Sequence, residues 1–79
     1  MLGAMMEPDQ TRPFLLDVVA LLHDVPEGGL ARGQVGTVVE NLGDDAALVE
    51  FTDDDGRAYA IAPLSFDRLL VLHYEPQAA

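Results

Sequence analysis

Residues 32 to 42 read Arg32-Gly33-Gln34-Val35-Gly36-Thr37-Val38-Val39-Glu40-Asn41-Leu42. Two glycines three residues apart open a run rich in β-branched side chains, the pattern of a sharp backbone bend entering a strand. Glycine within a strand marks a bulge or a close approach of another backbone, so this strand is expected to curl, as a small barrel's strand does at a corner. With 79 residues in all, a chain built on such a strand has room for one domain.

A core of that size supplies about 3–5 kcal/mol of net stability, and chains so short commonly lean on a disulfide, a metal or a partner subunit. There is no cysteine. That removes disulfides, thiolate metal sites and thiol nucleophiles, and leaves oligomerisation as the available support. The same absence fits a reducing cytoplasm, the expected location.

The formal charge is −10, from fourteen acidic residues against four arginines and no lysine. Such a surface repels nucleic-acid phosphate and anionic lipid over about 8 Å at physiological salt. It attracts a basic partner and speeds its encounter; it also simply keeps a small protein soluble or reflects a salty habitat. No segment approaches the ~20 apolar residues that span a bilayer. Met1 to Glu7 lacks the basic start and long apolar run of a signal peptide.

Residues 1–13 read as a flexible tail, with two prolines, polar neighbours and no period. The alternative is that Met1, Leu2, Met5 and Met6 dock on a partner. The domain is expected over 14–75, with 76–79 a frayed C-terminus. Leu15, Val18, Val19 and Leu22 fall at helical spacing, yet Asp17 to Leu22 is also a short apolar run that suits a strand. Periodicity leaves both open, and the strand is the preferred reading. Pro26 to Leu30 is a loop, with Leu30 tucked back as a plug. A central strand over 34–42 follows, then a turn at Gly43-Asp44-Asp45.

Residues 46–52 alternate, with Ala47, Val49 and Phe51 on one face and Leu48, Glu50 and Thr52 on the other. Asp53 to Gly56 forms a hairpin in which Gly56 takes positive φ. The return strand over 57–62 places Tyr59 and Ile61 on one face, with Tyr59 pairing across to Phe51, and Pro63 ends it. Leu64 to Arg68 reads as one 3₁₀ turn, and residues 69–74 as the last strand. These elements predict an all-β fold, a small five-stranded SH3-like barrel with a 3₁₀ turn before the last strand.

Two resemblances rest on these residues. Gly33-x-x-Gly36-x-Val38 resembles the KOW element of ribosomal and transcription-factor barrels, whose basic loops contact RNA or protein; this chain offers Arg32 beside the motif and no lysine. Residues 15 to 74 resemble the domain-of-unknown-function family 4926. The matching stretches are Leu16 to Leu22, Gly29-Leu30, Arg32 to Glu40, Val49-Glu50-Phe51, Asp55-Gly56-Arg57 and Leu69 to Leu72. The resemblance implies a single SH3-like barrel of bacterial origin, encoded beside another small gene in mobile or toxin–antitoxin-like neighbourhoods. The family has no established catalytic residues to carry over.

Chemistry-bearing groups are sparse. Asp53-Asp54-Asp55-Gly56 lacks the alternating acids of a calcium loop, and Leu64 stands where that loop needs its last carboxylate, so a solvated hairpin tip is the better account. His23 with Asp24 and His73 with Glu75 make a zinc set only if two strand ends meet. Ser65 has no base near it in sequence and is expected to cap the 3₁₀ turn through a backbone N–H. No catalytic, cofactor or metal residue is assigned, and no enzyme activity is expected.

What remains is apolar excess and acid. Hydrophobic residues make up 49% of the chain, and Val18 to Leu22 and Leu69 to Leu72 are apolar on both strand faces. The outward set, Val19, Leu21 and Val71, is expected to meet another copy. Asp44, Asp45, Asp53, Asp54 and Asp55 are expected to form one acidic edge for a basic partner, with Tyr59 and Phe66 as aromatic anchors. The expected function is thus a non-catalytic interaction module that self-associates and binds a partner protein, antitoxin- or immunity-like. The alternatives are a KOW-like nucleic-acid binder using Arg32, Arg57 and Arg68, and a small metal protein or enzyme.

Overall fold

A computed structural model describes residues 12–73. Most of the expected tail and the C-terminal residues 74–79 therefore lie outside the described residues. Arg12 and Pro13, the last of that tail, belong to the body: Pro13 is fully buried.

Five antiparallel strands form one sheet: β1 (Val18–Leu21), β2 (Val35–Asn41), β3 (Ala46–Thr52), β4 (Ala58–Ser65) and β5 (Leu69–Val71). Their order is β4-β3-β2-β1-β5. The all-β reading holds, and the ambiguous apolar run is a strand. A 3₁₀ turn, Phe66–Arg68, leads directly into β5, and another, Pro26–Gly28, lies in the long β1–β2 loop. Among the described residues no helix is long and apolar enough to cross a membrane.

The core follows from strand alternation. Ala47, Val49 and Phe51 of β3 are fully buried and meet Val38 of β2, Val19 and Leu21 of β1, Leu64 of β4 and Leu69 of β5. Val25 and Leu30 close one end: they bridge each other across the loop, and both are buried. Leu30 is the plug the sequence implies.

The two glycines do different work. Gly33 bends the chain into β2 with φ +88°. Gly36 lies opposite Phe51, and a Cβ there would stand 2.7 Å from Val49 Cγ1 and 2.8 Å from the Glu50 carbonyl oxygen. Only glycine lets β2 and β3 approach so closely.

Two expectations about β4 are corrected. Pro63 does not end the strand, which runs to Ser65 with Pro63 opposite Leu48. Proline lacks the N–H for a ladder bond, so this pair must be a non-hydrogen-bonded one, with the proline nitrogen turned to the open edge. β4 is an edge strand, where proline is tolerated and also blunts pairing with foreign strands. Second, the return strand does not run in regular register past Tyr59, which like Ile61 is exposed. The register slips between Phe51 and Thr52, so Ala60 opposes Phe51, Ala58 opposes Thr52, and Tyr59 between them is a bulge residue. Ile61 opposes Glu50 on the outer face, and Tyr59 makes the expected contact with core residue Phe51, their rings 6.3 Å apart.

The proposed outward set is also corrected. Val19 and Leu21 are core residues, 0% and 2% exposed, and Val71 packs against the core half-buried. Alternation along β1 and β5 turns their neighbours outward instead, and it is Leu22 and Leu70 that are exposed.

Candidate interaction surface

The acidic residues do not form one edge. Asp44 and Asp45 lie in the turn before β3 and Asp53 to Asp55 in the turn after it. Seven strand residues separate them, about 20 Å at the usual rise per residue. Each aromatic candidate goes to one end, so the described residues carry two aromatic–acid corners.

The first corner is closed by the chain itself. The Phe66 amide donates to the Asp45 carbonyl at 2.8 Å, fixing the 3₁₀ turn beside the β2–β3 turn. The Arg12 guanidinium lies over the Phe66 ring, 5.6 Å from its centroid, and reaches the Asp44 carboxylate at 3.7 Å. One cation thus satisfies both the ring's negative face and the acid.

The second corner is open. Tyr59 is 49% exposed; its ring leans on Phe51 and its hydroxyl accepts a hydrogen bond from Gln34 Nε2 at 3.0 Å. Gln34 is itself held, since its Oε1 accepts from the Ala31 amide. Asp53 is committed to the hairpin, its Oδ1 accepting from the amides of Asp55 at 2.9 Å and Arg57 at 3.0 Å. Asp54 and Asp55 are exposed at the tip. The result is a rigid half-exposed aromatic at the foot of a hairpin that ends in two carboxylates.

A third feature was missed by the sequence reading. Phe14 to Asp17 is a tight turn, closed by the Asp17 amide donating to the Phe14 carbonyl at 3.0 Å and the Phe14 amide donating to Asp17 Oδ2 at 2.9 Å. Leu16 donates its amide to Val38 at 2.7 Å while holding φ +70°, a conformation that costs a leucine of order 1–2 kcal/mol. Phe14, Leu15 and Leu16 are all exposed, Leu16 by 71%. The turn is an apolar knuckle, fastened to β2 in a strained form. On the other flank of β1 lies an open, mostly apolar groove of about 560 Å³, lined by Leu22, Phe66, Asp67, Leu69, Leu70, Val71 and His73.

The remaining candidates are placed plainly. His23 and His73 are exposed, and among the described residues no three His, Asp or Glu side chains come together as a metal group; Glu75 lies outside those residues. The Ser65 hydroxyl donates to the Asp67 carboxylate, and its oxygen does not accept from a backbone amide of the turn as a cap would, because the acid two residues on is within its reach. Arg68 bonds Glu27 Oε2 at 2.8 Å, tying the 3₁₀ turn before β5 to the β1–β2 loop. The backbone amide of Glu27, then Arg68, holds the Glu27 carboxyl below its ordinary pKa.

A family model described as a domain of unknown function, DUF4926, matches residues 15–71, from within the knuckle to the end of β5. No curated protein and no solved structure matches the chain. With more than half its length matched from the first strand to the last, the chain belongs to family DUF4926.

Proposed function

We propose that this chain is a non-catalytic, acidic interaction module of the cytoplasm that self-associates and binds a basic partner protein through the Tyr59 corner. The observation that carries the reading is the contrast between the corners. At Phe66 and Asp44 an aromatic ring and a carboxylate hold a guanidinium of the chain's own. At Tyr59, Asp54 and Asp55 the same chemistry stands half-exposed. A lysine or arginine of a partner suits it, because a cation over a tyrosine face beside carboxylates gains from both. The charge of −10 speeds the approach of such a partner. In its antitoxin- or immunity-like form, the module neutralises a basic protein encoded beside it.

The test is co-expression with the product of the adjacent reading frame, with an affinity tag on this chain only. The neighbour is expected to co-purify, to be released by added salt, and to be lost from a Tyr59→Ala chain. Elution of this chain alone removes the partner reading.

A further inference from the structure

We propose that the Phe14-Leu15-Leu16 knuckle of one chain seats in the groove beside β5 of a second copy, and the reverse, forming a two-fold dimer. This rests on the self-association half of the function proposed above and names its surface. The chain carries a protruding apolar feature and a recessed one. Phe14, Leu15 and Leu16 stand out from the surface; Leu22, Leu69, Leu70 and Val71 line the hollow. The two flank the same strand. Asp17, which closes the knuckle, precedes Val18, and the Val18 carbonyl accepts from the Leu72 amide at 2.9 Å as the chain leaves β5. Neighbouring key and hollow allow a reciprocal exchange about one axis, which closes at two copies and doubles the contact.

Charge also selects a second copy over the basic partner for this flank. The groove lining holds one carboxylate, Asp67, and it already accepts the Ser65 hydroxyl. The carboxylate of the knuckle, Asp17, is bonded to the Phe14 amide. Two chains of like charge can meet here through apolar side chains, as they cannot at the Asp54–Asp55 tip. The strain at Leu16 fits the same role: the turn keeps a leucine where glycine is the ordinary choice, and the leucine points into solvent in the single chain.

Sedimentation velocity of the full chain tests this, with Leu16→Gly on the knuckle and Leu70→Glu in the groove. The wild type is expected to be dimeric at tens of micromolar. Leu16→Gly relieves the strained backbone, so it is expected to keep or raise the thermal midpoint while weakening the dimer by about tenfold or more. Leu70→Glu is expected to weaken it likewise. Mixing the two variants is expected to recover a mixed dimer, since one intact knuckle-in-groove contact survives in it. A dimer unchanged by either variant overturns the proposed surface and leaves self-association standing. A monomeric wild type overturns both and frees the groove for another protein.

Discussion

The two aromatic–acid corners are built from the same chemistry and end in opposite states. Phe66 and Asp44 both contact Arg12, which ties the start of the described chain to the turn before β3. Tyr59 is buttressed from below by Phe51 and fixed by Gln34, yet keeps half its surface exposed. The lesson is that position along the sheet decides the role. At one end the chain enters with an arginine and the corner becomes part of the fold. At the other end a bulge tyrosine stands half-exposed at the foot of a hairpin whose tip carries two exposed carboxylates.

The largest expected effect removes the support of the open corner. Phe51→Ala deletes a fully buried ring and should cost about 3–5 kcal/mol in chemical denaturation. A loss below about 1 kcal/mol would mean that the Phe51–Tyr59 contact is not anchored in the core.

Next comes the corner itself. Tyr59→Ala should weaken partner binding by about 2 kcal/mol, as a rigid aromatic anchor does; equal binding by calorimetry would place the contact elsewhere. Arg12→Ala is the converse change, opening the closed corner. It should lower stability by no more than about 1 kcal/mol, since a 3.7 Å exposed ion pair contributes little. It should also create a second site for a cationic probe at Phe66 and Asp44; titration curves of unchanged stoichiometry would break the analogy between the corners.

The smallest effect is a pH dependence. The Glu27 carboxyl has its pKa lowered in the folded chain by its own backbone amide and then by Arg68, so the stability these contacts contribute is present above the unfolded-state pKa and is lost as the pH falls through the lowered one. Glu27→Gln should flatten that acid limb slightly in thermal melts; an identical limb would assign it to other carboxylates.

Much of the fold was legible because alternation is a local signal. Residues 46–52 alternate cleanly, and β3 has those bounds with Ala47, Val49 and Phe51 inward. The paired glycines marked the bend and the close approach of β2 to β3. The misses arise where a single residue changes parity or pairing. A bulge takes Tyr59 out of the regular pairing with β3, and an open edge lets β4 pass through Pro63. An apolar run on both faces gives Val19 and Leu21 no parity in the sequence; the burial of Leu69 and Val25 around them settles it. The acidic set resembles one edge in the sequence because proximity along the chain says nothing about which end of a strand a turn occupies. The signal for the knuckle was present in Phe14-Leu15-Leu16 directly after a proline, three large apolar residues before a strand, but no pattern in the sequence reveals a leucine held at positive φ.

The most direct test of the two-corner account is a backbone amide NMR titration of the chain with a short lysine- and arginine-rich peptide at low and high salt. The account predicts shifts centred on Gln34, Asp54, Asp55 and Tyr59 that fade as salt screens the carboxylates. Shifts centred on Asp44, Asp45 and Phe66, or spread evenly over the acidic surface, would contradict it.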